Sequence, residues 1–180
     1  MRGNINPFSS SEFVLLGLIF EKPTHGYDLH HVINDPEGIG IIWRVKMSNL
    51  YAYLDKLEKK GNIKGTMQPG ESHPTRMEYQ ITETGRVAFE SWLSTIVLHP
   101  RDFRQEFMIR YYFWLIYQPK NIRQYCDQQL VECNTWLENT KVQEQQVSNQ
   151  KHFKNSILHF RVIQISSLIQ WLEWQISQPL

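Results

Sequence analysis

The chain has 180 residues, 41% apolar and 13% aromatic, with 19 Lys and Arg against 18 Asp and Glu. That is enough apolar material for one domain or two small ones, and 9 Gly and 8 Pro exclude collagen-like and disordered classes. A net charge of +1 provides no whole-chain attraction to a polyanion, so any nucleic-acid argument depends on where the charges sit.

Ser9-Ser10-Ser11-Glu12 ahead of an apolar run has the form of a capping box, which predicts a first helix from Ser9 or Ser10 to a point before Pro23. Apolarity on nearly every side of that helix implies burial on several sides. Thr24 is the expected cap of a second helix, running through Gly26, Tyr27, Leu29 and Val32 to Asn34 and stopping at Asp35-Pro36. Glu37 to Val45 holds Ile39, Ile41, Ile42 and Trp43 without helical spacing and reads as an irregular, partly buried connection. From Ser48 the helical pattern returns, with Leu50, Leu54 and Leu57 on one side and Gly61 as the stop. At about 100° per residue, Ser48, Ala52, Asp55, Lys56 and Lys59 fall on the opposite side, with Tyr51 and Tyr53 flanking the apolar stripe.

Residues 62–67 and the alternation of Met77, Tyr79 and Ile81 with Arg76, Glu78 and Gln80 predict two strands joined by the turn segment Gln68 to Pro74. Thr82 can cap a fourth helix whose apolar side is Val87, Phe89, Trp92, Leu93 and Ile96. Helix, helix, helix, hairpin, helix is the order of a winged helix. Residues 99–180 contain no glycine and no strand alternation, and Pro100 and Pro119 divide them into three expected helices. The first carries Phe103, Phe107, Tyr111, Tyr112, Phe113 and Trp114. The second, Pro119 to about Ser148, has a thin seam through Ile122, Cys126, Cys133, Trp136, Thr140 and Val147. The third, about His152 to Ile176, shows Ile157, Phe160, Gln164, Leu168, Trp171 and Leu172. So thin a seam on so long a helix suits a coiled-coil-like contact, and dimerisation is the simplest reading of this half. The fold class expected is mainly α with a small β-hairpin: a winged helix-turn-helix domain over 1–98 and a three-helix dimerisation region over 99–180.

The charges are uneven along this plan. Residues 1–43 hold 2 basic and 5 acidic side chains, 44–86 hold 8 and 5, and 87–180 hold 9 and 8. A basic middle stretch fits a localised phosphate-binding surface, since counterion release needs clustered Lys and Arg; the plain alternative is a solvated helix face. Catalytic and metal patterns are missing. The seven histidines include no metalloprotease pair, neither cysteine has a zinc-spaced partner, and Gly38-Ile39-Gly40 lacks a dinucleotide setting. No enzyme activity, metal or cofactor is expected. Cys126 and Cys133, seven apart on one helix, sit roughly 10 Å apart and cannot bridge, so a reducing compartment is the default. With no signal-peptide pattern and no apolar run of roughly 20 residues, a cytoplasmic protein with no membrane partner is expected.

The first 90 positions resemble the PadR family of bacterial winged-helix transcriptional regulators. The resemblance rests on Phe13-Val14-Leu15-Leu16-Gly17-Leu18, Thr24-His25-Gly26-Tyr27-Asp28-Leu29, the run from Ser48 to Gly61, Arg76 to Ile81, and Thr82-Glu83-Thr84-Gly85-Arg86. The sequence departs from the family at Ala52, where proline is usual, and at Asn49, where threonine is common, so an operator cannot be transferred. The second half resembles the AphA-like branch, whose C-terminal helices make the dimer. The resemblance implies a homodimeric repressor of double-stranded DNA with a two-fold operator, a recognition helix over 48–60 in the major groove and a wing over 62–82. Ser48 and Asn49 would approach bases or phosphates and Tyr51 would donate its hydroxyl to phosphate. Ala52 would lie on the same face, while Lys56, Lys59, Lys64 and Arg76 would supply charge. Dimer contacts are expected at Phe13, Leu16, Cys133, Trp136, Phe160, Gln164, Leu168 and Trp171. Family members respond to small aromatic molecules, which implies an effector of that class. Plainer roles stand beside these: Ser48 as an N-cap, Tyr51 in the core, Lys59 and Lys60 as a helix C-terminal charge pair, and His25-Gly26-Tyr27 as structural, with Tyr27 buried. The alternative function is a winged-helix adaptor that binds proteins and not specific DNA.

Overall fold

The structure, a computed structural model, describes residues 9–69, 76–147 and 152–179. It divides into two compact units, Met1–Thr95 and Ile96–Leu180. The first unit runs α1 (Ser10–Ile19), β1 (Thr24–His25), α2 (Gly26–Asn34), a 3-10 turn (Ile39–Ile41), α3 (Met47–Lys59), β2 (Ile63–Gln68), β3 (Arg76–Ile81) and α4 (Glu83–Leu93).

α1 begins as its sequence predicts. Ser9 is the cap, and the backbone N–H of Glu12 and the carboxylate of Glu12 close a reciprocal capping box with it. The helix is apolar all round because α3, α4 and β3 all pack on it. Phe13 stacks on Trp92 at 4.6 Å between centroids, and Phe20 meets Phe89 at 5.1 Å. Phe13 and Leu16, expected at a dimer contact, are 2% and 0% exposed inside this core and have no surface left to offer a partner. α4 is capped by Thr82, which accepts from the N–H of Gly85 at 3.2 Å and donates to the carbonyl of Gly61 at 2.7 Å.

The expected hairpin has a third strand. β1 pairs antiparallel with β3, setting Thr24 opposite Tyr79 and His25 opposite Glu78, so the sheet order is β1-β3-β2. Thr24 is therefore a strand residue and not the cap of α2. Its hydroxyl donates to the carbonyl of Lys22, and His25 takes the cap position with no side-chain bond to the helix. Two residues are too few to show a strand period, and their partner lies over fifty positions away. The turn joining β2 to β3 falls, from Gly70 to Thr75, outside the described residues.

The second unit holds α5 (Pro100–Asp102), a π-helical segment (Phe103–Phe107), α6 (Met108–Tyr117), a 3-10 turn (Pro119–Asn121), α7 (Ile122–Gln145) and α8 (His152–Ser177). Rings dominate its core: Phe103 stacks on Phe107 at 4.2 Å, Phe107 on Tyr125 at 5.4 Å, and Trp171 stands edge-on to Tyr111 at 5.4 Å. The buried Gln129 amide accepts from the N–H of Val97 at 2.9 Å and donates to its carbonyl at 3.1 Å, which satisfies the backbone of a non-helical residue. Burial pushes the thiols of Cys126 and Cys133 up to about 12, so both are unreactive core groups.

The thin seam of α7 is covered within the chain. Ile122, Tyr125, Cys126, Gln129, Cys133 and Trp136 are buried, and α8 packs along α7. Cys133 is 0% exposed and Trp136 is nearly so, which removes both as dimer contacts. α8 fills this role with Leu158, Ile165, Ile169 and Leu172, a different stripe from the Ile157, Phe160 and Gln164 stripe expected to be the apolar side. Phe160 is 59% exposed and Gln164 is exposed, while Leu168 and Trp171 are half-buried against the aromatic core. No helix among the described residues is long and apolar enough to cross a membrane, and none of their His, Cys, Asp and Glu side chains cluster to hold a metal.

Candidate nucleic-acid interface

α3 is oriented by its apolar stripe. Leu50, Leu54 and Leu57 are fully buried, which turns Ser48, Asn49, Tyr51, Ala52, Asp55, Lys56 and Lys59 to solvent. The helix begins one residue earlier than its sequence suggests. Lys46 is the extended cap and Met47 the first helical residue, so Ser48 and Asn49 sit in the first turn and Ser48 is not the N-cap. The far end closes on Gly61 at φ 73°, with Gly61 N–H donating to Glu58 and Asn62 N–H to Leu57. Only glycine takes that left-handed position at no steric cost.

Beside the first turns of α3 lies a cleft of about 300 Å³ lined by His25, Gly26, Tyr27, Tyr51, Arg76 and Met77. α2 starts in it, since Gly26 is that helix's first residue, and Tyr51 crosses so close that a Cβ on Gly26 would lie 2.9 Å from its ring. His25 Nδ1 lies 3.3 Å from the carbonyl of Met77, joining β1 to β3 at the rim. The arrangement brings the first residues of α2, two tyrosines and an arginine to one concave surface, residue types that suit a phosphate oxygen. Tyr27 was expected in the core; it is 58% exposed, and Tyr51 is 43% exposed. Gly26 does allow close packing, against a side chain of α3. The signal for His25 and Tyr27 was present in the sequence only as the Thr24 to Leu29 motif; helical spacing in fact sets Tyr27 away from the buried Leu29 and Ile33.

The basic run of α3 is less available than its charge count suggests. Glu12, capping residue of α1, has a fully buried side chain that accepts from Lys60 Nζ at 2.7 Å and from Lys56 Nζ at 3.1 Å. It also accepts from the backbone N–H of Ser9 at 2.8 Å and its hydroxyl at 3.0 Å. Burial pushes the Glu12 carboxyl up, but the bonds from Lys60, Ser9 and Lys56 outweigh it and hold the group below the usual carboxylate range. Lys59 bonds Asp55 at 2.6 Å along the helix surface. Arg86 lies 4.4 Å from the Phe20 ring centroid and donates to the Phe20 carbonyl. Among the described residues, Lys46, Lys64 and Arg76 have no carboxylate partner. Arg76 lines the cleft. Lys64 sits at the base of the wing opposite Gln80, on the sheet face away from Gly65 and Tyr79, and is not brought to the cleft. Tyr79, in the sheet, has its phenol pushed up by burial, with the charges of Tyr51, Glu58 and Asp55 adding to the effect.

Part of the chain is similar to a known family. The model of the transcriptional regulator PadR-like family matches residues 15–91. A curated relative, the negative transcriptional regulator PadR of Bacillus subtilis (strain 168), is 31% identical over 104 residues, covering 57% of this chain. The chain spans about half the length of that relative, 55% of it. Among solved structures, Bacillus subtilis PadR in complex with operator DNA is 21% identical, covers 95% of this chain and 98% of its own, and superposes with a TM-score of 0.49. A transcriptional regulator from Clostridium thermocellum is 28% identical over 44% of this chain and 75% of its own, with a TM-score of 0.39. The family match runs from within α1 to within α4, through the elements that build the cleft and expose α3, and over that part the chain is similar to the PadR-like family of transcriptional regulators.

Proposed function

We propose that this protein is a cytoplasmic repressor that binds a two-fold symmetric operator as a homodimer, with α3 in the major groove and the β2–β3 wing beside it. The observation that carries the reading is the exposed first half of α3, with Ser48, Asn49, Tyr51 and Ala52 turned out beside a cleft that has a cation and a helix N-terminus. Ser48 and Asn49 reach base edges from the first turn of the helix. Tyr51, Tyr27, Arg76 and the first N–H groups of α2 hold one backbone phosphate, which sets the depth of α3 in the groove. Lys64 contributes at longer range from the wing. Lys56 and Lys59 contribute little, because both are engaged by carboxylates of their own chain.

A second copy of the chain is the partner that an uncovered stripe on α8 supports. Phe153, Ile157, Phe160, Gln164, Ser167, Trp171 and Trp174 follow at spacings of four and three, the a and d rhythm of a coiled coil. Phe153, Phe160 and Trp174 are more than half exposed, so this stripe lies mostly apart from the one packed on α7 and meets the aromatic core at Trp171. A dimer across it would present two recognition helices to one palindrome. Similarity to the PadR-like family also supports a small aromatic effector, for which Trp171 and Trp174 on α8 are fluorescent reporters.

Selection of bound duplexes from a random pool tests the proposal. A palindromic consensus is expected, with affinity falling as salt rises and with Arg76→Ala lowering the slope of log K against log salt by about 0.9. Failure to retain DNA at low salt, while the chain is folded and dimeric, would leave the protein-binding adaptor as the reading.

A further inference from the structure

The buried carboxylate at the start of α1 is a conspicuous polar group that neither the core nor the cleft uses. Glu12 has four donors within 3.1 Å, two from Ser9 and one each from Lys56 and Lys60, and its own side chain is fully buried. Lys56 and Lys60 are one helical turn apart on the flank of α3, so a single carboxylate grips two successive turns of that helix. The grip sets the rotation and lengthwise position of α3 against α1. It also holds the Lys56 ammonium, whose side chain is half exposed, toward the protein. A phosphate that recruited Lys56 would strip a buried carboxylate of part of its compensation, and an uncompensated buried charge is among the least favourable states a protein can adopt.

Resting on the DNA-binding reading above, we infer that Glu12 is a positioning residue for DNA recognition: it locks α3 through Lys56 and Lys60 and withholds the more exposed Lys56 ammonium from phosphate. The basic run at 56–60 is then a structural latch, and the phosphate contacts of this protein lie elsewhere, at Arg76, Lys46 and the start of α2.

The salt dependence of DNA binding by the full chain separates this from a purely structural role, because each phosphate-bound cation contributes about 0.9 to the slope. Lys56→Gln in the wild-type background is expected to leave the slope unchanged. Glu12→Gln is expected to steepen it by about 0.9 as Lys56 is released, and Glu12→Gln with Lys56→Gln to return it to the wild-type value. A slope that drops on Lys56→Gln alone, or that does not move on Glu12→Gln, overturns the inference. Should Glu12→Gln fail to fold, lysine acetylation of the wild-type chain reads the same point. Lys56 is expected to react more slowly than Lys64 in the free protein, with no further protection on adding a random-sequence duplex, whereas Lys46 becomes protected. Fast modification of Lys56 in the free protein, or strong protection of it by DNA, overturns the latch. If the wild-type chain binds no duplex at all, the regulator reading fails, and the free-protein acetylation rates still decide whether the latch exists.

Discussion

α1 and α8 look alike in sequence and differ in what surrounds them. Both are apolar around most of their circumference, and neither shows the one-sided stripe of an ordinary surface helix. α1 is enclosed by α3, α4 and β3, and from Glu12 to Ile19 only Leu18 is not fully buried. α8 is covered along Leu158, Ile165, Ile169 and Leu172 and leaves Phe153, Phe160 and Trp174 in water. Apolarity on all sides states how much surface must be covered, and the tertiary structure states how much of it the same chain covers. For α1 the account closes within its unit. For α8 a second stripe remains exposed among the described residues, the stripe on which the proposed dimer rests.

The comparison breaks first at Phe13. Phe13→Ala removes a ring stacked on Trp92 and is expected to cost about 3–5 kcal/mol by urea denaturation, while Phe160→Ala on α8 stays within about 0.5 kcal/mol of the wild type when measured as monomer. Equal costs would mean that α8 is as enclosed as α1. Phe160→Glu sharpens the other side of the contrast. It is expected to weaken self-association at least about tenfold in sedimentation equilibrium with helix content unchanged, since a carboxylate then sits in the exposed stripe. A dimer unaffected by it would move the interface away from α8.

Smaller effects follow from the ion pairs of α1 and α3. The Glu12 carboxyl is held below its unfolded value, so its contribution is complete at neutral pH and is lost as pH falls from about 5 through the folded-state value. Unfolding free energy should therefore drop on acidification, and by more in the wild type than in Glu12→Gln. Parallel pH profiles for the two proteins would show that the carboxylate is not stabilised by its lysines. Lys59→Ala removes only an exposed pair with Asp55 and is expected to change stability by less than about 0.5 kcal/mol and to leave the DNA salt slope as it is. A flattened slope for this variant would place Lys59 on phosphate after all.

Much of the site was legible in the residues. Leu50, Leu54 and Leu57 at four and three spacing oriented α3 and so exposed Ser48, Asn49 and Ala52, and Gly61 ended the helix where a positive φ is required. The Ser9 and Glu12 capping box was readable as well, but not its second function. That Glu12 also meets Lys56 and Lys60 is a contact between positions 44 and 48 apart, and no local pattern encodes it. Thr24 and His25 misled for the same reason. A hydroxyl before a glycine and an amphipathic run resembles a cap until β3 arrives from the far end of the unit to pair with it. Tyr27 misled because its aromatic ring suggested the core, although its spacing from Leu29 and Ile33 sets it on the outer face of α2.

The one-dimensional pattern by itself determined where most of the helices lie, the caps at Ser9 and Thr82, the stop at Gly61 and the winged-helix order, because those depend on neighbours within a few residues. Only the tertiary structure decided which lysines are engaged by carboxylates, which of the two stripes on α8 is core, and that α2, α3 and β3 share a cleft. Those are outcomes of long-range packing, where one buried carboxylate or one covering helix reassigns side chains that look equivalent along the chain.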